Sequence, residues 1–261
     1  MALFRTLDRR GRRAVGSPAL ATRFHIGAKQ LKGTLVAYAK RFDLLEVRMD
    51  AIGQNSPTPA SQTALRRWRK QVPPHFDFSV VASLQLVKLK PDDVVAKEIE
   101  DLKKVAAALE ARVIVLPTPP EVTPAVVWRD RLRRALDKLP LDVTLAVWEP
   151  GGVWQTEDAA ALARKWDIVL AVDASREAVP EGQAAYVRLR AIGETRSFGP
   201  SALERVVEAI GERRDAYVIL DTDSALTACK TLRRIAQGER KSGTGRVLVK
   251  PHLRVRDDEQ E

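Results

Sequence analysis

The sequence is poor in the residues that build cross-links and soft-metal sites. Cys229 is the single cysteine among 261 residues, which excludes an internal disulfide framework and a multi-cysteine zinc site. A chain with one thiol suits a reducing compartment, and the expected location is cytoplasmic. Ala228 and Leu232 flank Cys229 on what reads as a helix face, so the thiol is expected to be buried and inert. There are three histidines, His25, His75 and His252. They fall in a first strand, a turn and the C-terminal tail, and so are not expected to converge. That argues against a multi-zinc endonuclease site and against a Ser-His-Asp triad. No apolar run reaches the roughly 18 residues of a membrane span. Residues 1–22 contain Arg5, Arg9, Arg10, Arg12 and Arg13 but no apolar core segment. They read as a basic arm rather than a secretory signal.

What the chain has in excess is positive charge. Lys and Arg number 44 against 34 Asp and Glu, a formal net charge of +10. That balance favours anionic partners such as nucleic acid, phosphate esters or an acidic surface. It says nothing about fold.

Fold class comes from periodicity. Short Val/Ile/Leu-rich runs at 23–28, 44–49, 77–82, 112–116, 143–148, 168–172, 185–190 and 216–220 alternate with longer amphipathic stretches. Strands apolar on both faces, separated by helices, imply a parallel sheet covered by helices. Helices are expected at 31–41, 61–71, 91–110, 124–138, 156–165, 200–213 and 224–237. The stretch from Ala174 to Gln183 carries Pro180 and Gly182 and reads as a loop, so one outer helix is short or missing. The length is close to the roughly 250 residues of one closed α/β barrel. The expected organisation is a basic N-terminal arm (1–22), a single (β/α)8 TIM barrel (23–237) and a C-terminal extension (238–261) with a short added strand at 247–249. Pattern alone leaves an open doubly wound sheet as the alternative.

Several segments resemble domain-of-unknown-function family 72, the YecE-like TIM-barrel proteins. Phe42-Asp43-Leu44-Leu45-Glu46-Val47 is similar to the family's F-x-x-V-E-[IV] strand. Trp68, Val72-Pro73 and Phe76-Asp77-Phe78 are similar to its W-x-x-x-x-P-x-x-F-x-F motif. Tyr186-Val187-Arg188-Leu189 matches its Y-V-R-L strand, and Tyr217 to Asp223 stands where the family has Y-V-[FY]-F-N-N. The resemblance implies a closed barrel and brings no settled activity with it. The chain departs from the family where Trp148-Glu149-Pro150-Gly151-Gly152-Val153-Trp154 replaces E-x-R-H-x-S-W. Arg190 replaces a histidine, and Asp221 and Thr222 replace paired asparagines. The resemblance thus implies a divergent member with its own set of strand-end charges.

Barrel active sites form at the C-terminal ends of the strands. Those ends hold Lys29, Glu46, Arg48, Asp50, Glu149, Asp173, Arg188, Arg190, Asp221 and Asp223. Glu46 and Arg188 interrupt apolar strands, and a buried charge needs a partner. A pair from Glu46 to Arg188 or Arg190 across the barrel is therefore expected.

Two functions fit these residues. In the first, a nucleic-acid-associated barrel grips phosphates and hydrolyses phosphoesters with Mg or Mn. Glu46, Glu149, Asp173 and Asp221 would then be the catalytic carboxylates, with Asp221 and Asp223 on the metal. Arg66, Arg67, Arg69 and Lys70 would bind the backbone, with Trp68 stacking on bases. In the second, an enzyme or degenerate binding barrel takes a small anionic metabolite, with Lys29, Arg48, Arg188 and Arg190 gripping the anion.

Overall fold

The computed structural model describes residues 22–52, 61–89, 92–140, 144–193 and 196–238. The expected N-terminal arm and C-terminal extension, with His252 and the strand at 247–249, lie outside the described residues. The strands, in chain order, are β1 (Arg23–Ala28), β2 (Leu44–Arg48), β3 (Asp77–Val81), β4 (Val113–Thr118), β5 (Leu145–Pro150), β6 (Val169–Val172), β7 (Ala184–Arg190) and β8 (Asp215–Asp221). Every neighbouring pair is parallel, and the sheet runs β1-β8-β7-β6-β5-β4-β3-β2. The remaining seam lies between β1 and β2. There the Asp43 N–H donates to the Ile26 carbonyl at 2.9 Å, so the eight strands form a nearly closed barrel. Gly27 permits this approach, because a Cβ on it would stand 2.4 Å from the Leu44 carbonyl oxygen.

The helices are α1 (Leu35–Ala39), α2 (Gln62–Gln71), α3 (Leu84–Val87), α4 (Asp92–Leu109), α5 (Val126–Leu136), α6 (Thr156–Trp166), α7 (Pro200–Ile210) and α8 (Ala225–Ala236). On α4, Val95, Ile99, Leu102, Ala106 and Leu109 are buried. They recur at three- and four-residue spacing and lay one stripe on the sheet. Residues 173–183, between β6 and β7, contain no helix, as the proline and glycine there predicted.

Several element boundaries differ from expectation. The helix expected at 31–41 begins only at Leu35, where Thr34 caps it by accepting from the Ala37 N–H. The helix expected to reach residue 213 stops at Ile210, because Gly211 turns to φ +63°. Arg213 then belongs to the following loop, where its guanidinium donates to the carbonyls of Ile210 and Pro180. The four-residue α3 was not foreseen; it offers too few residues for a periodic signal. β4 and β5 run two residues further than expected, so Glu149 projects from a strand rather than from a loop.

Side chains alternate between the two faces of each strand. The outward set packs under the helices in the main core. The inward set forms a separate small core of Leu44, Val81, Val113, Val115, Val147, Ala171, Tyr186, Tyr217 and Ile219. The same inward parity places polar residues at both ends of the lumen. At the N-terminal end, His25 Nδ1 lies 2.6 Å from Asp77 Oδ2 and its Nε2 lies 3.1 Å from Asp215 Oδ1. The Asp77 Oδ2 contact is an ion-pair contact without hydrogen-bond alignment. Arg112 reaches Asp77, while Arg23 and Arg214 reach Asp215. The His25 ring stacks on Tyr217, with centroids 4.6 Å apart.

Candidate functional site at the barrel mouth

The inward positions at the C-terminal ends of the strands carry the expected charged ring. Arg188, on β7, donates from both terminal nitrogens to Glu46, on β2, at 2.8 and 2.7 Å. It also meets Glu149, on β5, at 3.1 Å, and Arg190 reaches the same carboxylate at 2.5 Å. The Tyr186 hydroxyl donates to Glu46 Oε1 at 2.6 Å. The expected pair across the barrel is thus Glu46 with Arg188, while Arg190 takes Glu149. A fork meeting a carboxylate with two parallel bonds is the strongest form of such a pair. Burial opposes the Arg188 charge, but Glu46, its hydrogen bonds and then Glu149 outweigh burial and hold the guanidinium pKa above its usual value. Burial, followed by the Glu46 charge, pushes the Tyr186 phenol well up, so it stays a proton donor.

This network changes the part Glu46 plays. Both of its oxygens are already occupied by Arg188 and Tyr186. It anchors an arginine and is not a free base, as the catalytic assignment would require. Asp173 is likewise committed: its Oδ1 accepts from the Ser175 N–H at 3.1 Å and hydroxyl at 2.5 Å. It fixes the turn after β6, with Arg176 beside its other oxygen at 3.4 Å. Asp50 caps α3 by accepting from the Leu84 N–H at 3.0 Å.

Asp221 lies between two cations, Lys29 at 2.8 Å and Arg196 at 3.4 Å. Asp223 is exposed and joins the same loop through its own N–H, which donates to the Arg196 carbonyl. Among the described residues no group of three or more His, Cys, Asp or Glu side chains could hold a metal ion. The expected metal pair, Asp221 and Asp223, therefore lacks a third protein ligand, and Asp221 is already neutralised by cations.

Two cavities open at this end of the barrel. A rim cavity of about 330 Å³ lies where β1 and β8 end, against the start of α8. Lys29, Lys32, Arg41 and Arg196 line it, against the carboxylates of Asp221 and Asp223. Lys32 and Arg41 have no acidic partner among the described residues. Its floor includes Tyr38, Phe42 and Leu226. The second cavity, about 390 Å³, lies over β4 to β7 and is lined by Thr118, Glu149, Trp154, Asp173, Arg188 and Arg190, among others. The Gly151-Gly152 loop forms part of its edge. It is pinned by the Gly151 N–H, which donates to the Thr118 carbonyl at 2.9 Å. The Trp154 indole N–H, donating to the Val122 carbonyl at 2.6 Å, secures it further.

The residues expected to bind nucleic acid are divided. Arg66, Arg67 and Lys70 are exposed on α2. Trp68 is half-buried and packs against the core. Arg69 turns inward, donating to the carbonyls of Phe76 at 2.8 Å and Pro73 at 3.0 Å. Basic pairs close α2, α5, α6 and α8 in their last turns. Helix C-termini lie at the barrel end opposite the mouth, where cations complement the macrodipole. Arg233, for example, pairs with Asp43 at 2.7 Å. Arg48 stands exposed at the end of β2, apart from these pairs.

Sequence reasoning missed the part of Lys32 and Arg41, expected within a helix at 31–41 but lying in the loops on either side of α1, and of Arg196, in a loop that alternation cannot place. It also missed the cluster of His25, Asp77 and Asp215. Each of these is a polar residue at an inward position near a strand start, so inward parity was the available signal.

The profile of a family described as "Protein of unknown function DUF72" matches residues 18–252. A DUF72 family protein from Enterococcus faecalis superposes with TM-score 0.62 at 14% identity, over 83% of this chain and 98% of that one. A xylose isomerase domain containing protein from Salmonella typhimurium gives TM-score 0.56 at 16% identity, over 85% and 97%. An AP endonuclease, family 2, from Brucella melitensis gives TM-score 0.54 at 14% identity, over 79% and 96%. No curated protein matches the chain.

Proposed function

Since the chain belongs to the DUF72 family, whose description names no activity, we propose a function from the site alone: the protein binds a small phosphate- or carboxylate-bearing anion at the rim of its barrel mouth. The observation that carries this is the rim cavity, where four cations face two carboxylates and two of the cations, Lys32 and Arg41, lack an acidic partner among the described residues. An unbalanced cationic cavity is stabilised by an incoming anion. Its walls come from the segments after β1 and β8, with Arg196 reaching in from the loop after β7, so it overlaps in part the region after the last two strands where barrels commonly hold phosphate. Similarity to an isomerase-domain protein and to an AP endonuclease supports the barrel and does not choose between their chemistries.

The nucleic-acid reading with Mg- or Mn-dependent phosphoester hydrolysis is supported by net charge. It is weakened by the placement of the basic pairs away from the mouth and by the engagement of Glu46, Asp173 and Asp221. Calorimetric titration with inorganic phosphate tests the proposal. The double variant Lys32→Ala/Arg41→Ala should weaken binding by on the order of tenfold or more, from the loss of charge-assisted hydrogen bonds. Neither substitution orphans an acid among the described residues. Unchanged affinity would reject the rim cavity. Oligonucleotide affinity that falls more than about tenfold between about 50 and 200 mM salt would favour the nucleic-acid reading instead.

A further inference from the structure

The second cavity has a different chemistry from the rim. Its walls offer the carboxylates of Glu149, Asp173 and Glu177, the hydroxyls of Thr118 and Thr156, and the half-buried indole of Trp154. Arg188 and Arg190 enter it already paired, Arg188 with Glu46 and Glu149 and Arg190 with Glu149. Such a lining has little unbalanced charge for an ion and many fixed hydrogen-bond acceptors. Hydroxyl groups suit it, since each can donate to a carboxylate and accept from an arginine.

The two cavities are neighbours. Arg190, in the second, is registered directly opposite Asp221, in the first, across the β7–β8 pair. Adjacent strands stand only about 4.8 Å apart. The Arg190 guanidinium then leads to Glu149 at 2.5 Å. Cationic rim and hydroxyl-matched interior therefore form consecutive parts of one mouth.

Resting on the anion reading above, we infer that the ligand is a phosphorylated polyol of the sugar-phosphate class. Its phosphate lies in the rim cavity beside Lys29, Lys32, Arg41 and Arg196. Its hydroxyl groups lie in the second cavity against Glu149, Glu177 and Thr156. Thr156 and Glu177 already hydrogen-bond to each other, at 3.2 Å. Both lie at the edge of the cavity, where exchanging that bond for a ligand hydroxyl costs little.

The test is a titration of the full chain with inorganic phosphate, glucose phosphate, ribose phosphate and glucose, followed by calorimetry and by intrinsic tryptophan fluorescence, to which Trp154 contributes. The expected result is that one of the sugar phosphates binds about tenfold or more tighter than inorganic phosphate, as a few added hydrogen bonds would give. The variant Glu177→Gln, on an exposed turn, should lower that ratio of affinities. If inorganic phosphate binds and neither sugar phosphate binds more tightly, the polyol inference is overturned and the anion site stands. If glucose binds as tightly as its phosphate, the anion reading is overturned instead. If neither phosphate nor either sugar phosphate binds, both are overturned.

Discussion

Replacing Arg188 by Met should be the most damaging single change at the barrel mouth. The arginine is nearly buried and is shared by Glu46 at 2.7 Å and Glu149 at 3.1 Å. Methionine fills part of the volume but leaves Glu46 without its cation and facing Glu149, which keeps only Arg190. Removing one partner of a buried ion pair costs about 3–5 kcal/mol, mostly because the remaining charge is left uncompensated. At about 2–4 °C per kcal/mol for a domain of this size, Tm should fall by roughly 6–20 °C. The assay is thermal unfolding followed by circular dichroism at neutral pH. Removing the charge from the other side as well, in Glu46→Gln/Arg188→Met, should recover part of the loss. A Tm within about 2 °C of wild type for the single variant, under a kcal/mol by the same scaling, would refute the reasoning. It would mean that the mouth is wetter and the network weaker than its geometry implies.

Other outcomes follow from groups elsewhere in the chain. Asp215 is pushed up by burial, but the hydrogen bonds from Arg214 and His25, and then the charges of His25 and Arg23, prevail and lower its pKa below the ordinary 3.8. A depressed carboxylate stabilises the fold above its unfolded pKa and loses that contribution as pH falls through the folded value. Asp215→Asn should therefore flatten the acid limb of the stability curve below about pH 4, measured by urea unfolding. Burial, partly offset by Arg233 and reinforced by Asp43, pushes the Cys229 thiol up to about 11. Ellman's reagent at pH 8 should therefore modify the folded protein far more slowly than the unfolded chain. Gly27→Ala would drive a methyl into the Leu44 carbonyl at the closing seam and should cost about 1–3 kcal/mol as overpacking, read as a shift in denaturation midpoint.

Much of the barrel was legible because its strands are apolar on both faces and regularly spaced. The missing helix after β6 was readable from Pro180 and Gly182. The energetic argument that a buried Glu46 needs Arg188 was also sufficient, since it depends on burial and charge rather than on loop geometry. What stayed hidden depended on three-dimensional neighbours. Asp173 looks like a catalytic acid in sequence and proves to fix a turn through Ser175. Trp68 sits among arginines in sequence, yet helical geometry rotates it onto the core while Arg66 and Arg67 face outward. Arg196 reaches the mouth from a loop, where no periodicity announces it.

Crystallography with tungstate as a heavy phosphate analogue shows whether a small anion occupies the rim cavity. An anomalous peak is expected within hydrogen-bond reach of Lys29 and Arg196, with Lys32 or Arg41 closing over it, and that peak should be lost in Lys32→Ala/Arg41→Ala. Peaks confined to the arginines at the helix C-termini, with none in the rim cavity, would contradict the anion reading.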